Sequence, residues 1–403
     1  MIRTILTHLS YCILAGCCLM ACSVDAELTD LIDPSWRGEI ISTTELHAWS
    51  ISQTDSALAS FDADLLTYPN DNPITIYRVL YKTIDAFGNE TQASGAVVIP
   101  VTDTAAPMIV YTHGTVVERY DVPGYESDEL VLGMLYGADG YVAVLPDYLG
   151  MGDSPGIHPY CHAATEASAT VDLMRAAQSL CADLGITLNQ QTFIFGYSQG
   201  GHAAMATTKA IQEDYADEFT VTASAPMSGP YDLSGAQTAL VLADEPYGAP
   251  FYLPYLMFGY NMVYDMYDSP SDYLVAPYDS ILPLLFDGTH SGGEIDAVMP
   301  SIPKNIIKPD VLDDFINNPN NPFRLALQAN DLTGWTPTVP VIMYYCAGDE
   351  LVTYQNSIIA QDRFVANGST TTGLYQPSPS AGHGECAEPC FVFANIYFSS
   401  LRN

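Results

Sequence analysis

Residues 74–83, Ile-Thr-Ile-Tyr-Arg-Val-Leu-Tyr-Lys-Thr, alternate apolar and polar side chains, the two-residue period of a strand with one buried face. Residues 93–101 give a second such stretch. Between them Asp85-Ala86-Phe87-Gly88-Asn89 carries turn chemistry, so the two are expected to form a hairpin. The pattern then changes. Residues 108–111, 141–145, 192–195, 220–223 and 339–345 are short, mainly apolar runs, as expected for strands covered on both faces of a parallel sheet. Helical spacing separates them over 126–138, 163–184 and 200–215, and returns over 391–401. Antiparallel entry strands followed by this alternation predict an α/β fold, a doubly wound, mostly parallel sheet with helices on both faces.

The alternation stops over 229–336. This stretch holds Phe251-Tyr252-Leu253-Pro254-Tyr255-Leu256-Met257-Phe258, then Tyr260, Met262, Tyr264, Met266 and Tyr267. It is too long for a plain loop and predicts a mostly helical cap inserted between two strands. Its aromatic and Met content suits an apolar acyl site, and equally a subdomain whose aromatics pack against the body. Asn317-Asn318-Pro319-Asn320-Asn321-Pro322 reads as a turn, and no internal repeat is present.

Residues 192–195 lead into Gly196-Tyr197-Ser198-Gln199-Gly200-Gly201, with a helical pattern after it. This is G-x-S-x-G in a strand–turn–helix setting, where a serine on a tight turn needs small residues two before and two after it. Ser198 is the candidate nucleophile, and the helix N-terminus beside it favours developing negative charge. A serine hydroxyl needs a base. Of the eight histidines, His8 falls in the leader and His47 is expected before the sheet. His158 and His162 precede a helix, His202 is too near Ser198 and reads as a packing residue, and His290 falls in the cap. His383 lies in the small-residue loop Ser380-Ala381-Gly382-His383-Gly384-Glu385, expected to precede the last helix, and is the candidate base.

The acid is expected between a late strand and that histidine. Asp349 is the first carboxylate past residues 339–345, with Leu351-Val352 to anchor its loop, and would hold His383 in the correct tautomer. Glu350 is expected to point away, and Asp232, in Gly229-Pro230-Tyr231-Asp232, is the competitor. A tetrahedral oxyanion needs two amide donors. Gln199, next after the serine, supplies one. Thr115, in Tyr111-Thr112-His113-Gly114-Thr115, supplies the other, with His113 bracing the loop. The glycines of residues 145–154 suit a tight loop on the same face, where Asp147 is expected to make a structural hydrogen bond.

Together these stretches resemble the secretory lipases and esterases of the α/β-hydrolase superfamily. The matching features are Tyr77-Arg78-Val79-Leu80-Tyr81-Lys82-Thr83, Ser94-Gly95, His113-Gly114-Thr115, Asp147-Tyr148-Leu149-Gly150-Met151-Gly152, Gly196-Tyr197-Ser198-Gln199-Gly200-Gly201, Gly348-Asp349-Glu350-Leu351-Val352 and His383-Gly384. They run from about residue 38 to the C-terminus. The resemblance implies an α/β-hydrolase fold, a lid where the cap is placed, and hydrolysis of carboxylic esters, often acylglycerols. Two rivals use the same residues. A serine aminopeptidase or tripeptidyl-type peptidase would need a cap carboxylate for the substrate amine. A hydrolase-fold binding module would not need a triad, and all three triad candidates are present. No cofactor is implied, and neither zinc-type Cys/His spacing nor a Ca²⁺ loop occurs.

Charge and the chain start refine this picture. The 12 Lys and Arg against 47 Asp and Glu give a formal net charge of −35. That excludes a nucleic-acid partner, which needs a basic face, and fits an exported or salt-adapted protein. Residues 1–21 read as a secretory leader, with Arg3 as its positive end and residues 11–20 apolar but too short to span a bilayer. The leader ends in Leu19-Met20-Ala21-Cys22-Ser23, which resembles a bacterial lipobox. Cys22 would then be lipidated and anchor the chain, placing residues 22–403, the catalytic domain, in the cell envelope or outside the cell. Five of the nine cysteines follow Cys22. Cys161 and Cys181 flank a predicted helix and are too far apart to pair, while Cys346 is expected to bridge to Cys386 or Cys390, leaving an odd thiol.

Overall fold

The computed structural model describes residues 35–59 and 69–403; Arg3, the leader 1–21 and Cys22 lie outside the described residues. The alternating stretches become β2 (Ile74–Ile84) and β3 (Glu90–Pro100), an antiparallel pair with β1 (Ile40–Trp49) added at its edge. The apolar runs become β4 (Ala106–Thr112), β5 (Val142–Pro146), β6 (Leu188–Tyr197), β7 (Val221–Met227) and β8 (Val341–Tyr344), and β9 (Thr372–Tyr375) closes the far edge. The order is β1-β2-β3-β5-β4-β6-β7-β8-β9. β3 meets β5 antiparallel, and from β5 to β9 every pairing is parallel. This is the α/β-hydrolase arrangement, a mostly parallel sheet with helices on both faces.

The missing alternation in the central strands has a simple cause. Along β6, Phe193 and Phe195 enter one core and Ile194 the core on the opposite face. Ile109 and Tyr111 of β4 split from Met108 and Val110 in the same way. The sheet separates two apolar layers, so both sides of each central strand must be apolar.

The helices before the insertion are α1 (Ile51–Leu58), α2 (Leu130–Ala138), α3 (Ala163–Leu184) and α4 (Gln199–Asp214). Between β7 and β8 come α5 (Thr238–Val241), α6 (Tyr252–Tyr264), α7 (Pro270–Tyr273), α8 (Tyr278–Leu285), α9 (Gly292–Asp296), α10 (Pro309–Asn317) and α11 (Pro322–Ala329). These insertion helices share their own core, in which Tyr260, Leu274, Leu282, Ile295 and Ile306 are fully buried. The chain ends with α12 (Gln355–Ala366) and α13 (His383–Leu401). Side chains of α2 and α13 cover one face of the sheet, and those of α3 and α4 the other. Residues 36–403 form one compact unit.

Two strands were not anticipated, and three expectations need correction. β1 carries no burial alternation because it is an edge strand with Ser42, Thr43, Thr44 and Glu45 exposed. His47, expected ahead of the sheet, therefore lies within it. β9 is a four-residue edge strand, too short for a period to register. α2 starts at Leu130 rather than 126, because Glu126 sits at φ 63°, a left-handed turn closing a short 3₁₀ segment. α13 starts at His383 rather than 391 and runs through Pro389. A proline interrupts one helical hydrogen bond. The carbonyl left without a donor belongs to Glu385, which is exposed.

Cys346, just past β8, is bonded to Cys386 in the first turn of α13, 40 residues on, while Cys390 stays a buried thiol 3.5 Å from the Cys386 sulfur. The bridge ties together the two segments that carry Asp349 and His383. Closing a loop of this length restricts the unfolded chain by about 4 kcal/mol. Replacing both Cys346 and Cys386 with Ala is expected to lower the unfolding free energy by about that amount in urea titrations. Reducing agent should do nothing further to the variant; equal stability of variant and wild type would contradict this.

Candidate active site

β6 turns into α4 through Ser198, whose backbone sits at φ 60°, ψ −124°, a conformation costly for a residue with a Cβ. The turn holds because nothing bulky stands around it. A Cβ on Gly196 would lie 2.2 Å from Thr112 Oγ1, and one on Gly200 only 2.0 Å from the Thr112 carbonyl. Both positions therefore require glycine. The Ser198 amide donates to the Met227 carbonyl at 2.9 Å, pinning the turn to the end of β7. Ser198 is buried, with 6% of its surface exposed.

His383 and Asp349 reach the same point from other strand ends. His383 Nε2 lies 2.9 Å from Ser198 Oγ, and Nδ1 lies 2.8 Å and 3.0 Å from the two Asp349 carboxylate oxygens. A carboxylate only accepts, so Nδ1 carries the ring proton and Nε2 offers its lone pair to the serine hydroxyl. Asp349 Oδ1 also accepts from the Leu351 and Val352 amides, at 3.1 and 2.8 Å. The Leu351 carbonyl in turn accepts from Gln237 Nε2 and from the Tyr247 hydroxyl, at 2.8 and 2.7 Å, both donors lying between β7 and β8.

Glu350 does not point away as expected. Its Oε2 accepts from the His383 amide at 3.0 Å, so it caps the N-terminus of α13 and anchors the histidine's backbone. The Tyr197 hydroxyl donates to the His383 carbonyl from the other side. Neither contact was anticipated, because Glu350 lies 33 residues before the helix it caps and no local signal links the two. The competitor Asp232 lies elsewhere: it accepts from the Ala236 amide at 2.7 Å and pairs with Arg363 at 3.1 Å.

On the opposite side of Ser198, Gln199 opens α4, so its amide has no intrahelical acceptor. Thr115 lies in the loop after β4, where its hydroxyl meets the Tyr160 hydroxyl at 2.8 Å. The Tyr255 hydroxyl of α6 donates to the carbonyl of the next residue, Val116, at 3.0 Å. His113 Nδ1 lies 2.7 Å from the Gly114 carbonyl, its ring packs on Tyr148, and its own carbonyl accepts from the Tyr148 hydroxyl. Asp147 is fully buried and accepts from Ser94 Oγ at 2.6 Å and the Gly124 amide at 2.8 Å. His202, Glu166 and His158 form a buried group behind Gln199. His290, in the insertion, pairs with Asp287 instead.

A mainly apolar cavity opens at Ser198 and Gln199. Leu253, Leu256 and Met257 of α6, Val311 and Phe315 of α10 and Leu327 of α11 line it, and among the described residues no carboxylate does. Among the described residues two clusters have metal-ligand side chains, Cys161 with Glu166 and His202, and Cys346 with Cys386 and Cys390. The second holds the disulfide, and in the first the Glu166 and His202 atoms already bond protein partners.

The chain resembles known proteins along nearly all its length. A ligand-bound rice cell wall degrading esterase, LipA from Xanthomonas oryzae, is 30% identical with a TM-score of 0.82, over 91% of this chain and 100% of that one. The chain belongs to the secretory lipase and esterase family of α/β-hydrolases. The secretory lipase family model matches residues 126–239, which span α2 to the start of the insertion. A Legionella pneumophila protein assigned to the hydrolases is 27% identical with a TM-score of 0.82, over 90% of this chain and 98% of that one. Candida antarctica lipase A in its closed state, at 16% identity, shares the fold with a TM-score of 0.67, over 91% of this chain and 82% of that one. A comparison with curated proteins gave no match. As a member of this family the protein is a carboxylic ester hydrolase.

Burial keeps three histidines of this esterase neutral: His113, His158 and His162 are each pushed down to about 4. The unfolded chain protonates these rings from about pH 6.5 downward, the folded protein only near pH 4. Their contribution to stability is complete above pH 6.5 and is lost as pH falls through 4. Asp147, pushed by burial up to about 7, acts in the opposite sense over this range. His162→Gln is expected to flatten the rise of unfolding free energy between pH 4 and 6.5 by up to about 1.4 kcal/mol per pH unit, one proton's worth. Urea titrations across that range check it, and an unchanged slope would contradict the buried neutral state of His162.

Proposed function

We propose that the protein hydrolyses esters of apolar acyl chains through an acyl-enzyme on Ser198. The hydroxyl–imidazole–carboxylate line Ser198–His383–Asp349, standing at the mouth of an apolar cavity, carries this reading. Nε2 of His383 takes the serine proton as Oγ attacks the ester carbonyl. The imidazolium that forms is stabilised by the Asp349 carboxylate. The carbonyl oxygen becomes an anion held by the Gln199 and Thr115 amides, each worth roughly a hundred- to a thousandfold in rate. Collapse of the intermediate expels the alcohol, which receives the proton from Nε2. Water then enters, gives one proton to the same nitrogen and attacks the acyl-serine; collapse releases the acid as Nε2 returns that proton to Ser198 Oγ. The helical insertion 229–336 acts as a cap holding the acyl group. A peptidase would need an anion for the substrate ammonium, and the cavity wall offers apolar side chains instead.

Ser198→Ala is expected to lower kcat on p-nitrophenyl esters by roughly a million-fold while the protein remains folded. Each methylene of the acyl chain buried against the cap contributes about 0.8 kcal/mol, so kcat/KM should rise about fourfold per methylene until the cavity is filled. A hydrolysis series from acetyl to palmitoyl checks this, and a preference for acetyl would overturn the acyl assignment.

The Leu19-Met20-Ala21-Cys22 sequence supports anchoring by a lipidated Cys22. Metabolic labelling with an alkyne fatty acid is expected to mark the wild-type protein in a bacterial host and not Cys22→Ser; equal labelling would remove the anchor.

A further inference from the structure

Four polar side chains lie almost without solvent behind the turn at Ser198. Glu166 and Gln199 are 1% exposed, His202 is fully buried and His158 is 4% exposed. Their bonding partners restrict where the hydrogens lie. The His202 Nε2 faces the Asn330 carbonyl at 3.0 Å, and a carbonyl only accepts, so that nitrogen carries a proton. Its Nδ1 lies 2.6 Å from Glu166 Oε2, so one proton lies between them; carried by Nδ1, it makes His202 an imidazolium facing a carboxylate. Burial opposes the charge, but the Glu166 carboxylate and its hydrogen bond raise the His202 pKa above the usual histidine range.

The other half of the cluster is neutral. His158 Nδ1 donates to the Leu149 carbonyl at 2.8 Å, which leaves Nε2 as an acceptor. Gln199 Nε2 stands 2.7 Å from that nitrogen and 3.1 Å from Glu166 Oε1. The two hydrogens of one amide group therefore meet two fixed acceptors, and the side chain of Gln199 is held as a fork. A buried ion pair is seldom retained for stability alone, since apolar residues of similar volume serve as well. This one ends on the residue that follows Ser198.

We propose that Glu166, fixed by His202, is a positioning residue: through the Gln199 side chain it sets where the Gln199 amide stands relative to Ser198. The proposal rests on the oxyanion role given to that amide above. It also joins the insertion to the site. Asn330, just past α11, accepts from His202 through its carbonyl and from the Ala163 amide at the start of α3 through Oδ1, at 2.8 Å. Displacing an oxyanion donor by a fraction of an ångström weakens the transition state and leaves the substrate complex unaffected.

Gln199→Met keeps the main-chain amide and the side-chain volume but removes the fork. It should lower kcat about ten- to a hundredfold with KM within about twofold. The inhibition constant of an alkyl trifluoromethyl ketone, which forms a serine-bound oxyanion, should rise by the same factor. Glu166→Leu should do likewise. Glu166→Gln keeps an acceptor for Gln199 and a donor for a neutral His202, and should recover kcat to within about threefold of wild type. Unchanged kcat and ketone affinity in Gln199→Met would overturn the proposal, as would a rise in KM alone, which would make Gln199 a substrate contact. Ser198→Ala separates the two readings: if it stays active, the triad reading fails; if it is dead while Gln199→Met is fully active, only the positioning role fails.

Discussion

The end of β4 lies so close to the first turn of α4 that a Cβ at residue 200 would stand 2.0 Å from the Thr112 carbonyl. Everything at the site depends on this approach. It lets β6 end in a serine held at φ 60°, lifting the hydroxyl off the sheet edge. It also brings the loop after β4, with Thr115, alongside the turn. The strain at Ser198 is held by its amide bond to Met227 and by the packing of β6 between two apolar layers. A scaffold with neither feature would relax the turn and withdraw the hydroxyl.

The other two members of the proposed triad are placed by longer-range devices. Asp349 follows β8 and His383 opens α13, and the Cys346–Cys386 bond fastens these segments next to both residues. Glu350 and Tyr197 hold the histidine backbone while Asp349 holds its ring. The insertion contributes as well, since Tyr247 and Tyr255 reach down to the Asp349 loop and the Thr115 loop. The apolar cavity and the loops carrying Asp349 and Thr115 are thus parts of one hydrogen-bonded assembly. A change in the insertion would be felt at the reacting atoms.

Much of this was legible in the amino-acid order. Strands buried on both faces leave continuous apolar runs, and β4 to β8 were found that way. The G-x-S-x-G turn announces Ser198 because the glycines answer a local steric demand. Asp349 and His383 were named from loop position and chain order, and the structure brings both within hydrogen-bond distance of their neighbours. What escaped was set by contacts distant in sequence. β1 is defined by its pairing with β2 and buries too little to leave a pattern. Glu350 was dismissed because loop spacing does not reveal which way a carboxylate turns. The group around Glu166 draws on α3, α4, the loop holding His158 and the end of the insertion, and no local motif joins those four.

The central claim is that acyl transfer passes through the Ser198 oxygen. Mass spectrometry of enzyme quenched by acid during turnover of a slowly deacylating ester tests it directly. The account predicts one acyl group per chain, on the peptide that contains Gly196-Tyr197-Ser198-Gln199. An adduct on another residue, or steady turnover with no covalent acyl group at any time, would contradict it.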